Sequence, residues 1–256
     1  GLGYVGLPLA IEFSKKKKCF FSENLSERKI IGFDIKKERI QELSKGFDRT
    51  NQLSKEDFTY SENILYTSDE KELVEADVYI VTVPTPITAS KRPDLKPLKN
   101  ACSLVADALK KRQLNDNKKT YQTKPVIIFE STVYPGATEE ICIPIIERNS
   151  NLKLNEDFYC GYSPERVNPG DKKNTLVKIT KLTSGSNRDS AKWIDDFYLS
   201  IIEAGTFKTK DIKTAEAAKV IENTQRDLNI ALVNELAIIF EKLGIDTLEV
   251  LEAAST

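Results

Sequence analysis

The chain has 256 residues, 40% hydrophobic and 30% charged, the balance of an ordinary soluble globular protein with room for one large domain or a domain plus part of another. With 38 Lys and Arg against 39 Asp and Glu the net charge is −1, so no broad basic field exists to hold nucleic acid. No apolar stretch approaches the ~18 residues of a membrane span, and the absence of histidine leaves proton chemistry within these residues to carboxylates, lysine or bound water.

The first six residues, Gly1-Leu2-Gly3-Tyr4-Val5-Gly6, form a G-x-G-x-x-G loop running into an apolar helical pattern from Leu7 to Phe13. Such spacing alone is about as often an ordinary tight turn. Asp34, closing the buried run Ile30 to Asp34, shifts the reading to a βαβ unit that binds a dinucleotide. Gly1 permits the turn, Gly3 lets backbone approach a pyrophosphate, and Gly6 lets the helix pack on the sheet. The helix N-terminus then faces the phosphates. An acidic side chain at the second strand end accepts from ribose hydroxyls and repels a 2′-phosphate, so the expected cofactor is NAD. A strand is expected before the first glycine, and there is no Met, so the natural chain is expected to begin earlier, with at least a strand of about five or six residues.

Lys15 to Lys18 reads as a solvated helix end rather than a phosphate patch. A helix is expected over Lys36 to Ser44, with Ile40 and Leu43 on one face, then a polar loop with a short helix from Gly46 to Asn63. A short helix follows over Asp69 to Val74, and a strand buried on both faces over Asp77 to Val83. Pro84-Thr85-Pro86 ends it and opens a proline-rich loop to Pro97. Leu98 to Leu114 is helical, Pro125 to Glu130 a buried strand, Ser131 to Gly136 a turn and Ala137 to Arg148 a helix. Strands are expected at Phe158 to Tyr162 and Lys181 to Ser184. Asn187 caps a helix through Ile201. Alternating strands and helices predict an α/β fold with a Rossmann-type parallel sheet.

From Ala215 to Leu243 one long helical pattern runs without Pro or Gly, with Gly244 as its C-cap and another helix from Asp246 to Ala254. The expected organisation is therefore an NAD-binding domain over residues 1–208 and the start of a helical central domain over 209–256. Cys19, Cys102, Cys142 and Cys160 have no metal-binding spacing, which suits a reducing cytoplasm. Burial in helices or a strand is expected for most of them.

The strand ends carry Val83-Pro84-Thr85-Pro86, Glu130-Ser131-Thr132-Val133-Tyr134-Pro135-Gly136 and Tyr162-Ser163-Pro164-Glu165-Arg166-Val167-Asn168-Pro169-Gly170-Asp171. The long helix carries Ala215-Glu216-Ala217-Ala218-Lys219-Val220-Ile221-Glu222-Asn223-Thr224-Gln225-Arg226. Singly, Thr132 or Ser131 would cap a helix, Glu165 and Arg166 would form a loop ion pair, and Lys219 and Asn223 would be solvated. Together and in this order the motifs resemble the UDP-glucose/GDP-mannose dehydrogenase family, closest to the branch acting on UDP-N-acetylhexosamines in bacterial surface-polysaccharide synthesis.

The resemblance implies oxidation of a C6 primary alcohol to a carboxylate with two NAD, through a cysteine thioester that is then hydrolysed. It implies that Thr132 orients the water, Glu165 is general base in hydrolysis, and Lys219 with Asn223 stabilises oxyanion charge. The i, i+4 spacing of the last two places both on one helix face. It assigns the cofactor to Gly1, Gly3, Tyr4, Val5, Gly6, Asp34, Arg39, Val83, Pro84, Thr85, Ser131 and Thr132. A UDP-sugar substrate and a homodimer are implied as partners, and no metal. Pro169 stands where many UDP-glucose members have a second glutamate, which favours the acetylhexosamine branch. The family's nucleophilic cysteine lies past the long helix, so the natural chain is expected to continue, and residues 1–256 alone are expected to bind NAD without turnover. Alternatives are a UDP-glucose 6-dehydrogenase, a two-electron 3-hydroxyacid dehydrogenase and a non-catalytic NAD-binding module.

Overall fold

The computed structural model describes residues 1–16, 28–53, 56–116, 124–167 and 175–256. Lys17, Lys18, Cys19 and Asn168 to Asp171, all named above, lie outside the described residues. In chain order the elements are α1 (Gly6–Ser14), β1 (Ile30–Phe33), α2 (Lys37–Ser44), β2 (Ile64–Thr67), β3 (Val78–Val81) and α3 (Lys96–Asp116). Next come β4 (Val126–Phe129), α4 (Ile143–Ser150), β5 (Tyr159–Tyr162), β6 (Lys181–Gly185), α5 (Arg188–Leu199), β7 (Thr206–Lys208), α6 (Ile212–Leu243) and α7 (Thr247–Ala254). The chain divides into two compact units, Gly1–Glu216 and Ala217–Thr256, so the division falls inside α6.

Within the first unit β1 and β2 pair in parallel, and β3, β4 and β5 form a parallel run in that order. The all-parallel expectation fails at one place: β6 pairs antiparallel with β5, and β7 then pairs parallel with β6. The physical reason is the connection. The described residues between β5 and β6 hold a single 3₁₀ turn, Leu176–Lys178, and no crossover helix, so the chain re-enters the sheet from the end it left. From β6 to β7 the helix α5 supplies a crossover and the direction is kept.

The sheet β3-β4-β5 is covered on both faces. Tyr79, Val81, Ile127, Phe129, Cys160 and Tyr162 pack with residues of α3 and α4 and with Ile212 and Ala215. Val126 and Ile128, with Val78 and Ile80 against them, pack on Leu9 and Phe13 of α1 and on Ile194, Phe197 and Tyr198 of α5. All four residues of β4 are therefore buried, whereas β3 alternates, its Val78 and Ile80 only half-buried.

Several local expectations are met and others shift by a turn. Asn187 caps α5 by accepting the amide of Ser190 at 2.8 Å, in a full capping box. α3 starts at Lys96, earlier than Leu98, because Pro97 in a first turn gives up no helical hydrogen bond. The expected helix over Ala137 to Arg148 opens as a π-wound turn, Thr138–Cys142, just before Pro144, whose missing N–H cannot close an ordinary turn. β2, at the end of a polar stretch, and β7, only three residues long, fall outside the expected strands. In the second unit α6 ends at Leu243 and is followed by Gly244, with φ at +69°, and Asp246 caps α7 through the amides of Leu248 and Glu249.

Candidate active site

The glycine loop sits at the carboxyl ends of two strands. Leu2 donates its amide to Asp34 Oδ2 at 2.8 Å, just past β1, and Thr82 Oγ1, just past β3, donates to the Gly1 carbonyl at 2.7 Å. A Cβ on Gly6 would lie 1.9 Å from the Gly1 carbonyl oxygen, so only glycine closes this turn. A Cβ on Gly3 would meet nothing within 4 Å, leaving the loop backbone open to a ligand. Tyr4 is exposed, and Val5 packs partly into the core formed with α1 and α5. Asp34 Oδ1 also accepts the Lys36 amide at 2.9 Å, so its carboxylate is held in place with lone pairs to spare on both oxygens.

Arg39, expected among the cofactor residues, is 5% exposed. Its Nε donates to the Leu2 carbonyl at 2.9 Å and its guanidinium pairs with Asp48 at 2.7 Å, so it braces the loop from behind. Along the other border run Val83, Pro84 and Thr85. Ser131 Oγ donates to the Val83 carbonyl at 2.7 Å, joining the ends of β3 and β4. Thr85 Oγ1 is buried without a partner. An open backbone at Gly3, a fixed carboxylate at Asp34 and an unsatisfied hydroxyl at Thr85 together suit a dinucleotide.

Thr132 is exposed at the start of the Ser131–Gly136 turn, between buried Ser131 and Val133. The turn is braced by Glu216, fully buried, which accepts the amides of Gly136 at 2.5 Å and Thr138 at 2.9 Å. Burial pushes the Glu216 carboxyl above the usual glutamate range, partly offset by those hydrogen bonds.

Glu165 lies in the loop after β5. Its Oε1 accepts the amides of Arg166 and Val167, each at 2.6 Å, while Arg166 itself reaches the Thr180 carbonyl at 3.2 Å. Its Oε2 faces Lys181 Nζ at 3.6 Å. Lys181 in turn contacts Glu130 Oε2 at 2.6 Å and the Pro164 carbonyl at 3.3 Å, and the Tyr198 hydroxyl donates to Glu130 Oε1. Burial pulls the Lys181 ammonium down, but Glu130 and Glu165 outweigh it and hold it above its ordinary value. The Tyr198 phenol is pushed up by burial and by Glu130, so it stays a donor. Sequence reading overlooked Lys181 and Tyr198 and gave Glu130 no role beyond ending its strand. The available signal was a charged residue at each end of two buried strand patterns, since buried Lys and Glu occur almost only as partners.

Lys219 and Asn223 lie four residues apart on α6, on one face of that helix, in the second unit. Cys102, Cys142 and Cys160 are buried. The Cys142 thiol is pushed up by its hydrogen bond with Cys102 and by burial, and burial does the same to Cys160, so both stay protonated and poorly nucleophilic. Among the described residues no group of His, Cys, Asp and Glu could hold a metal, and no helix is long and apolar enough to cross a membrane.

Residues 1–202 match the UDP-glucose/GDP-mannose dehydrogenase family, NAD binding domain, and residues 213–256 match the central domain of the same family. The cofactor of this domain is thus NAD, as Asp34 foretold. A UDP-N-acetyl-D-glucosamine 6-dehydrogenase of Pseudomonas aeruginosa is 51% identical over 100% of this chain and 55% of the relative. A protein of the same name from Salmonella typhi is 50% identical with the same coverage. The solved structure of a UDP-D-ManNAc dehydrogenase from Pyrococcus horikoshii matches with a TM-score of 0.82 at 30% identity, over 100% of this chain and 56% of that one. The chain spans about 55% of the length of the curated relatives it matches.

Proposed function

From a chain that belongs to the UDP-glucose/GDP-mannose dehydrogenase family, we propose that the whole protein oxidises the C6 hydroxymethyl of a UDP-N-acetylhexosamine to the uronic acid, for surface-polysaccharide precursors. Two hydrides leave the sugar, one water is added, and three protons are released with the carboxylate. NAD supplies the chemistry of hydride acceptance at C6. The N-acetylhexosamine assignment is supported by the names of the relatives that are 51% and 50% identical.

In this reading Gly3, Asp34 and the Val83–Thr85 border hold the dinucleotide. Glu165 takes the proton from the water that attacks a thioester, Thr132 orients that water, and Lys219 with Asn223 supports the oxyanion. The three described cysteines are buried, so none of them is assigned as the thiol nucleophile. Residues 1–256 alone would then bind NAD without turnover. A homodimer belongs to the same reading.

One observation carries it. The Glu165 side chain, 10% exposed, is linked through Lys181 to Glu130, two residues before Thr132, just past the carboxyl ends of β5 and β4. The test is to incubate the full-length protein with UDP-GlcNAc, UDP-GalNAc or UDP-glucose and count NADH. About two NADH per UDP-N-acetylhexosamine are expected, by the two-NAD stoichiometry of covalent capture and hydrolysis. One NADH per sugar would mean a two-electron dehydrogenase, preference for UDP-glucose would remove the acetylhexosamine assignment, and none would leave a binding module.

A further inference from the structure

A lysine inside a buried strand needs its charge answered, and here two carboxylates answer it. Lys181 is 3% exposed on β6, Glu130 ends β4 fully enclosed, and Glu165 follows β5. Neither Glu130 nor Lys181 has a part in the chemistry described above. A buried pair of this kind contributes little to stability over an apolar pair, so its geometry calls for another account.

The ammonium has three protons and three oxygen neighbours. Glu130 Oε2 lies at 2.6 Å, the Pro164 carbonyl at 3.3 Å and Glu165 Oε2 at 3.6 Å. Lys181 therefore holds both the carboxylate of Glu165 and the peptide immediately before it. Glu130, gripped on its other oxygen by Tyr198, fixes where the ammonium sits, and the Glu130 amide is itself bonded to Val81 at 2.9 Å. Rotation of Glu165 is restrained on both sides: Oε1 by two amides, Oε2 by the cation.

We infer that Lys181 is a positioning residue that aims the Glu165 carboxylate, with Glu130 as the counterweight that limits how tightly the two pair. A base gripped too firmly by a cation loses proton affinity, and one left without a partner can turn away from the water it serves. Sharing the ammonium with Glu130, at 2.6 Å against 3.6 Å for Glu165, orients Glu165 without pairing it closely. The inference rests on Glu165 being the hydrolytic base. Among the described residues of the first unit the charged and titratable groups facing Glu165 are Lys181 from β6, Glu130 just past β4 and Tyr198 from α5, with Arg166 adjacent in the chain.

The consequence is a pair of opposite displacements. Lys181→Gln removes the positive charge, so Glu165 protonates more readily and the acid limb of the kcat–pH profile moves up. Glu130→Gln removes the competing carboxylate, so Lys181 turns more fully to Glu165 and the limb moves down. About one pH unit each way is expected for a charge at this distance. Lys181→Arg should restore most of the wild-type profile. Mass spectrometry of quenched full-length enzyme should show acyl-enzyme accumulating in Lys181→Gln at a pH where wild type shows little. Circular dichroism screens for folding, and should Lys181→Gln not fold, the Glu130→Gln limb decides alone.

Profiles unchanged in Lys181→Gln and Glu130→Gln, or displaced in the same direction, overturn the inference while Glu165→Gln still blocks hydrolysis. If Glu165→Gln itself leaves turnover and acyl-enzyme unaffected, the assignment of the base fails instead.

Discussion

Asp34 holds the amide of Leu2 at 2.8 Å, so one carboxylate just past β1 braces the glycine loop of the proposed cofactor site. Asp34→Ala should therefore raise KM for NAD about 30-fold in the full-length enzyme, corresponding to ~2 kcal/mol for lost charge-assisted hydrogen bonds. It should also narrow the preference over NADP, since the repelling charge is gone. Initial-rate kinetics with both cofactors test this, and an unchanged NAD KM would remove Asp34 from the cofactor site.

Gly3 and Gly6 should separate when each becomes alanine. At Gly6 the added carbon strikes the Gly1 carbonyl, so the loop must distort and the melting temperature should fall by several degrees. At Gly3 the carbon meets open space in the protein, so stability should stay near wild type while NAD affinity drops at least tenfold. Thermal melts with and without NAD, together with NAD titration, distinguish the two.

Glu216→Gln tests the brace under the Thr132 turn. Glutamine has one acceptor for two buried amides and turns an NH₂ toward the other, at a cost of about 1–3 kcal/mol. Because burial raises the Glu216 carboxyl in the folded state, its protonation favours folding. The stability advantage over the Gln variant should be largest below the ordinary glutamate range and shrink as pH rises through the raised value. Denaturant midpoints across pH measure it, and an advantage that grows with pH would contradict the assignment.

Cys102, Cys142 and Cys160 should resist maleimide in the folded protein and label fully in guanidinium. Peptide mass mapping before and after denaturation reads each site. Rapid native labelling of Cys160 would reopen its candidacy as the nucleophile.

Much of the local structure around this candidate site could be read before any fold was known. The glycine spacing with Asp34 encodes local backbone demands, and Asn187 and Gly244 mark helix ends through chemistry confined to a few residues. Thr132 and Glu165 were visible as motifs at strand ends. The bracing role of Arg39 was not, since its partners Leu2 and Asp48 are respectively 37 and 9 residues away in the chain.

The amino-acid order by itself determined most of the strands and helices and, through the glycine spacing with Asp34, that the cofactor is NAD. Those features depend on periodicity and on residues near one another in the chain. Only the tertiary structure decided that β6 runs against β5, and that Glu130, Glu165, Lys181 and Tyr198 meet in one buried network. Their sequence separations carry no period, and their meeting depends on how the sheet is ordered and on the burial that makes a lone charge too costly to leave unpaired.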